Sequence, residues 1–445
     1  MPPKAPSIAL SRQLLAAAHN IQDVLSGQSL SESLAHTPTE LRAAAQALSF
    51  YAMRHLGLAH GLRDMLVSRT PPDPLTDALL LLSLCLMDSS LGHAQDGADT
   101  SHAIPVYAPH TLVNQAVEAA MHHPKSRAYK GLINAVLRRF GRERDPLLRT
   151  LEGDPVAQWN HPQWWIDTLQ TAWPQYWQVL LQAANTPGPM TLRANRRQNT
   201  PEQLQNFLDA AGIHATLAGQ DGVILSTPQP VQAIPGFAQG RWSVQDLAAQ
   251  LAGRLLPVAD GMRVLDACAA PGGKTAHLLE RHSLALTALD SDPQRLERVA
   301  QNLDRLRLTS PSIRLCAGDA AHTASWWDGE PFDAILADVP CTASGVVRRH
   351  PDIRWLRRAE DLPRTAALQQ RIIDALWRVL RPGGHLLYVT CSIFPIEGEQ
   401  QILAFLARHA DALRLAAPGY ILPHAESSAA DQTDGFFYAL IAKRG

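Results

Sequence analysis

Cysteine is scarce in this chain: five in 445 residues, an odd number with no close pairs. That excludes the disulfide frameworks of small secreted domains and fits a reducing compartment. An excess of charge of one sign is also lacking. Forty Lys and Arg against 41 Asp and Glu leave a net charge of −1, so any nucleic-acid binding must come from local patches. Long apolar runs are missing too. The longest, Ala78–Met87, falls well short of the roughly 20 residues of a membrane span. The opening MPPKAPSIALSRQ has no signal-peptide core. A soluble, cytoplasmic protein with no membrane partner is expected. Apolar residues, by contrast, make up 46% and charged ones 18%, enough to build packed cores. At roughly 150 residues each, two or three domains are expected.

Charge is spread unevenly. Residues 1–100 hold six Lys or Arg and nine Asp or Glu, whereas residues 121–150 hold eight Lys or Arg against Glu143 and Asp145. That basic run, with Arg138 and Arg139 at its centre, is either a solvated helix face or a phosphate-contacting patch. Helical spacing marks Ser11–Leu25, Thr39–Leu56, Asp73–Asp88, Thr111–Met121 and Tyr129–Phe140, while Gly92–Ala108 is expected to be a loop. Between residues 150 and 240, five of the ten tryptophans cluster at positions 159–177. Packing of a small subdomain is the expected use of these rings, ahead of base stacking.

From about Gly240 short β-like runs alternate with helices. The runs are Arg263–Asp266, Ala285–Asp290, Ile313–Ala317, Ala334–Ala337 and His385–Thr390. The helices are Lys274–Glu280, Gln294–Leu306 and Pro363–Leu380. This alternation predicts an α/β, doubly wound parallel sheet, which binds ligands beyond the C-terminal ends of its strands. After the first strand comes Asp266-Ala-Cys-Ala-Ala-Pro-Gly-Gly-Lys-Thr275, a Gly-rich turn opening a helix. It is not a P-loop, because Cys268 stands where the first glycine would be. The second strand ends at Asp290, eighteen residues after Gly272. That acid is suited either to ribose hydroxyls or to a helix start before Pro293. The third strand ends at Asp319, which could accept from an adenine amino group or cap a turn. Three acids at successive strand ends with the Gly-rich turn favour an adenosine-bearing cofactor.

The fourth strand ends in Asp338-Val-Pro-Cys341 and the fifth in Thr390-Cys391-Ser392. Fifty residues separate the two cysteines, yet neighbouring strands about 5 Å apart bring them to one crevice. A structural pair or a metal site is the bland alternative. No C-x-x-C or H-x-x-x-H companion exists, so no metal is expected, and a thiolate nucleophile is the preferred use. Cys85 and Cys316 are expected to be buried as small hydrophobes.

Asp266–Thr275, Asp338–Cys341 with Gly345, and Thr390–Ser392 together resemble the signature of the Sun/Nop2-type RNA cytosine-C5 methyltransferases. Residues 345–358 and the closing Asp434-Gly-Phe-Phe-Tyr-Ala439 are similar to its bacterial, small-subunit ribosomal RNA branch. The helical N-terminus, with Leu132-Ile-Asn-Ala-Val-Leu-Arg-Arg139, resembles the NusB-like RNA-binding domain of that branch. Departures from the pattern are Val339, Thr342 and Gly398, the last in place of an Asn.

The resemblance implies a multidomain chain. Residues 1–146 would form an all-α NusB-like domain, 147–238 a small α/β linking subdomain, and 239–445 a class I S-adenosylmethionine-dependent methyltransferase domain. It implies Cys391 as nucleophile, Cys341 acting in loss of the carbon 5 proton or in enzyme release, and Asp338 bonding the cytosine ring. Lys274 would contact the base or the cofactor. Cys268, Ala269, Ala270, Pro271, Gly272, Gly273 and Lys274 would wrap S-adenosylmethionine, with Asp290 at the ribose, Asp319 near the adenine and Asp338 beside them. S-adenosylhomocysteine would be the other product. Arg138, Arg139, Arg348, Arg349 and Arg354 would hold phosphates of small-subunit ribosomal RNA, with Arg357 and Arg358 as further candidates, and a monomer is expected. The alternatives are an exocyclic-amine methyltransferase, a non-catalytic ribosome-assembly RNA binder, and a carbon 5 enzyme acting on another RNA. An amine methyltransferase would present Asn/Asp-Pro-Pro-aromatic where this chain has Asp-Val-Pro-Cys, and a pure binder would need neither thiol.

Overall fold

Leu14, Ala17, Ala18, Ile21 and Val24 recur at helical spacing and form the buried face of α1 (Leu10–Leu25). The same logic builds α2 (Leu30–His36), α3 (Thr39–Leu66), α4 (Pro74–Asp96), α5 (Pro109–Met121) and α6 (Lys130–Leu151). This computed structural model describes residues 8–96, 106–423 and 432–445. The chain divides into two compact units, residues 1–187 with 347–359, and residues 188–346 with 360–445. The division falls inside the 147–238 segment.

Two expectations for the first unit need correction. Gly92–Asp96 is the last turn of α4, not loop; positions 97–105 lie outside the described residues. Glycine suits this helix because a Cβ at position 92 would come within 3.3 Å of the Arg144 guanidinium, which pairs with Asp88 at 2.8 Å. Moreover, Pro74–His93 is long and apolar enough to cross a membrane, although no single apolar run within it is. Here Leu79–Leu82 are fully buried in the helical core. α6 outlasts its predicted end at Phe140, passing a kink at Glu143 with Pro146 inside; proline removes a hydrogen bond and crowds the carbonyl four residues back.

The tryptophans pack. α7 (Pro155–Trp159), α8 (Gln163–Ala172) and α9 (Trp177–Asn185) bring Trp159 to 5.1 Å from Trp177 and bury Trp165. Residues 347–359, with α15 (Ile353–Leu356), complete the unit. The Asp352 carboxylate accepts from the Leu30 N–H at 3.0 Å, and the Trp355 indole donates to the Met53 carbonyl at 2.8 Å.

The second unit opens with four short antiparallel strands in the order β2-β3-β1-β4: β1 (Thr191–Ala194), β2 (Ala215–Ala218), β3 (Gly222–Leu225) and β4 (Trp242–Val244). α10 (Pro201–Ala210) starts on a Thr200–Gln203 capping box. α11 (Leu247–Gln250) and α12 (Ala252–Leu255) lead into a seven-stranded sheet ordered β10-β11-β9-β8-β5-β6-β7. β5 (Arg263–Ala267), β6 (Ala285–Asp290), β7 (Ile313–Ala317), β8 (Phe332–Asp338) and β9 (Leu380–Thr390) run parallel. The expected all-parallel sheet is corrected by an antiparallel edge, β10 (Ala412–Ile421) and β11 (Phe436–Lys443). α13 (Gly273–Arg281), α14 (Pro293–Leu306), α16 (Asp361–Val379) and α17 (Glu399–Arg408) accompany it. Because β5 lies between β6 and β8, strand order reverses at its end, where open α/β sheets bind ligands.

A candidate active site at the strand ends

The turn after β5 is held from several sides. The Ala269 N–H donates to the Leu289 carbonyl at 2.8 Å, and the Ala270 N–H to the Asp290 carboxylate at 3.0 Å. The Arg295 guanidinium holds the Ala270 carbonyl at 3.0 Å and Asn302 the Pro271 carbonyl at 2.9 Å. Gly272 sits at φ +93°, and a Cβ there would meet Val299 of α14 at 3.0 Å, so only glycine lets this turn lie against that helix. Arg193 of β1 fixes α13 from behind. Its guanidinium grips Glu280 at 2.6 and 2.9 Å and the Gly273 carbonyl at 2.7 Å.

Asp266 is fully buried. Its Oδ2 accepts from the Thr275 hydroxyl at 2.6 Å, its Oδ1 has no partner, and burial pushes the carboxyl up to about 7. Burial raises the Cys268 thiol as well, reinforced by the charges of Asp338, Asp290 and Asp266. Three acids thus converge on one turn, an environment that suits a sulfonium cation, and the orphaned Asp266 oxygen can accept a further donor. The residues fit S-adenosylmethionine on that ground.

The predicted cofactor acids fall in different settings. Asp290 is buried, and its two oxygens accept from the Ala270 and Asp292 N–H groups at 3.0 and 3.1 Å. It braces the turn; Oδ1 also pairs with the Arg295 guanidinium at 3.5 Å, and Oδ2 keeps a lone pair for a hydroxyl. Asp319 is exposed at the end of β7, beside His322 Nδ1 at 2.8 Å. Asp338 accepts from Lys274 Nζ at 2.6 Å. Burial would lower the Lys274 ammonium, but Asp338, with help from Cys391 and Asp266, raises it. Lys274 therefore remains charged, 5.4 Å from the centre of the Phe436 ring.

β8 and β9 pair side by side, with Asp338 opposite Val389, and their end loops bring Cys341 Sγ to 3.4 Å from Cys391 Sγ. Both are free thiols. The hydrogen bond with Cys391, burial, and the charges of Cys391 and Glu397 all push the Cys341 thiol up. The two sulfurs have different neighbours. The Cys391 charge acts on Lys274 and Tyr438, as does that of Asp338, whereas that of Cys341 acts on Tyr388 together with Glu397. Gly345 secures the loop: its N–H donates to the Cys391 carbonyl at 2.9 Å, and a Cβ would strike the Gly435 carbonyl at 2.1 Å. Gly398 has a similar reason, since a Cβ would lie 2.3 Å from the Tyr420 hydroxyl, which accepts from the Glu399 N–H. Among the described residues no three His, Cys, Asp or Glu gather as a metal site.

The predicted RNA residues divide. Arg138 and Arg139 are exposed on α6, bonded to Asn134 and Glu143 on the same helix at 2.9 Å. Arg354 is corrected: it is fully buried and clamps the Asn160 and Ala184 carbonyls at 3.1 and 2.6 Å, with Asn185 as a further acceptor. A fully buried guanidinium whose two terminal nitrogens are bonded to the ends of α7 and α9 cannot hold a phosphate. The Arg348 side chain is buried too, and Arg349 is half-buried. The residue passed over in the sequence is Glu397, buried between the two cysteine loops; the short Pro395–Glu399 segment after Ser392 was its available signal.

Two family models match the chain: 16S rRNA methyltransferase RsmB/F over residues 254–442, and an RsmF/B-like ferredoxin-like domain over residues 161–232. A ribosomal RNA small subunit methyltransferase B from Vibrio vulnificus is 41% identical, covering 96% of this chain and 99% of that one. A protein of the same name from Pseudomonas putida is 47% identical over 75% of this chain and 78% of its own. Among solved structures, a methyltransferase homolog protein from Pyrococcus horikoshii matches with a TM-score of 0.56 and 27% identity, over 65% of this chain and 98% of that one.

Proposed function

Because this chain belongs to the ribosomal RNA small subunit methyltransferase B family, which methylates ribosomal RNA with S-adenosylmethionine, we propose that it methylates carbon 5 of a cytosine in 16S ribosomal RNA through a covalent bond to Cys391. The observation that carries this reading is the pair of thiols 3.4 Å apart at neighbouring strand ends, beside the Lys274–Asp338 ion pair.

Carbon 5 of cytosine is too weak a nucleophile to take a methyl group directly. The Cys391 thiolate adds to carbon 6, forming a C–S bond and making carbon 5 enamine-like. Asp338 bonds the ring and favours its protonated form, and the Lys274 ammonium holds that carboxylate in place. Bound S-adenosylmethionine supplies the electrophilic methyl. Once carbon 5 is methylated its proton leaves to a base, the C5=C6 bond re-forms and Cys391 departs as thiolate. Cys341, held as a thiol beside that sulfur, stabilises the departing anion by hydrogen bonding. The Cys268–Lys274 turn with Asp290 and Asp319 binds the cofactor, and the base must leave its stack to enter the crevice.

The asymmetry between the sulfurs supports Cys391 as nucleophile, since it shares the surroundings of Lys274 and Asp338. The test is incubation with labelled S-adenosylmethionine and small-subunit ribosomal RNA, followed by nucleoside analysis. Label in 5-methylcytidine is expected, lost in Cys391→Ala. Label confined to a base methylated on an exocyclic amine, or no label at all, overturns the proposal.

A further inference from the structure

Cys341 and Cys391 belong to different strands, and a buried carboxylate joins the loops that carry them. Glu397, fully buried in the turn Pro395–Glu397, accepts from the Thr342 N–H at 2.8 Å with one oxygen. Its other oxygen accepts from the Thr342 hydroxyl at 2.5 Å and from the Ser392 hydroxyl at 2.6 Å. Thr342 directly follows Cys341, and Ser392 directly follows Cys391. The Ser392 hydroxyl lies 2.9 Å from that of Ser344, which accepts from the Ile393 N–H at 2.9 Å. From below, the Tyr388 hydroxyl donates to the Glu397 carbonyl at 2.9 Å.

Resting on the covalent reading above, we propose that Glu397 is a positioning residue, whose carboxylate ties the turn after Cys341 to the turn after Cys391 and so sets the spacing of the two thiols. Three donors converge on two oxygens, and an ionised carboxylate accepts all three without presenting a donor of its own. Burying a charge is costly unless hydrogen bonds compensate it, and here they come from both loops at once. Glutamine keeps one acceptor oxygen and presents an amide N–H₂ to hydroxyls that can rotate to accept. Alanine removes the carboxylate tie and leaves the loops joined through the Gly345–Cys391 and Ser344–Ser392–Ile393 bonds. The Glu397 charge is also among the influences that keep Cys341 a thiol, after its hydrogen bond with Cys391, burial and the Cys391 charge.

The thiols provide their own ruler. Diamide takes two electrons and two protons from a pair of adjacent thiols, closing a disulfide and becoming its hydrazine. The rate of Cys341–Cys391 closure, followed by peptide mass without RNA or cofactor, reads their proximity. In Glu397→Ala closure and kcat should each fall about ten- to a hundredfold, the range expected when reacting groups shift by about 1 Å. KM for RNA and for S-adenosylmethionine should stay within about twofold. Glu397→Gln should recover most of both rates. If Glu397→Ala fails to fold, Thr342→Val, which removes one donor and no charge, should shift closure and kcat in the same direction by less. Unchanged closure and kcat with a lowered melting temperature would reduce Glu397 to a stabilising residue and overturn the proposal, as would slowed closure at full kcat. Methylation persisting in Cys391→Ala would instead defeat the covalent reading, and the closure rates would still report whether Glu397 sets the spacing.

Discussion

Replacing Cys341 with alanine removes the group 3.4 Å from the Cys391 sulfur. A hydrogen bond to a charged partner contributes about 1.5–3 kcal/mol. Its loss is felt most when Cys391 leaves carbon 6 as a thiolate, where it slows release about ten- to a hundredfold. The adduct therefore forms and is slow to resolve. In Cys341→Ala, a protein–RNA band should survive denaturing electrophoresis and should require S-adenosylmethionine. Cys391→Ala, lacking the nucleophile, should give neither adduct nor product, and the double variant should give no band. A stable adduct from Cys391→Ala but not from Cys341→Ala would reverse the two roles. Full activity in both single variants would refute the covalent mechanism altogether.

Asp290→Ala should weaken S-adenosylmethionine binding about ten- to a hundredfold, the equivalent of one charge-assisted hydrogen bond; unchanged affinity by calorimetry would leave Asp290 its bracing contacts with Ala270, Asp292 and Arg295. Reversing Arg138 and Arg139 to Glu should weaken RNA binding and flatten its log–log salt slope by roughly 1.4–1.8, two phosphate contacts' worth. Methyl transfer at saturating RNA should change little, and an unaltered slope would make this a solvated face. Arg354→Ala should cost about 3 kcal/mol of stability, because buried carbonyls lose their donor, while the salt slope stays the same. A melting temperature within error of the parent would contradict its place as a clamp.

The strands that carry the site were legible because β5 through β9 each end in a recognisable residue after an apolar run. The cysteine crevice followed from strand adjacency alone. β1 to β4, of three or four residues each, are too short to display a period of two. The antiparallel edge was hidden because β11 is apolar on both faces from Phe436 to Ile441, so no alternation shows in it. Arg354 was misread because charge alone suggests solvent, whereas its partners Asn160 and Ala184 lie some 170 or more positions away. Glu397 went unrecognised for the same reason. The Pro395–Glu399 segment marks its neighbourhood, but the contact that gives it its importance, Thr342, lies 55 positions back.

Residues Val347–Ala359 belong to the helical unit but are encoded within the other one. A chain emerging from the ribosome completes α1 to α9 long before it supplies Asp352 for the Leu30 N–H, the Trp355 indole for Met53, or Arg354 for the carbonyls at Asn160 and Ala184. At roughly 5–20 residues per second, the 172 residues between positions 187 and 359 take about ten to thirty seconds to make. By then β5 to β8 have already emerged. The usual order of domain-by-domain biogenesis is thus inverted: the first unit to begin folding must wait for most of the second to be synthesised before its last piece arrives.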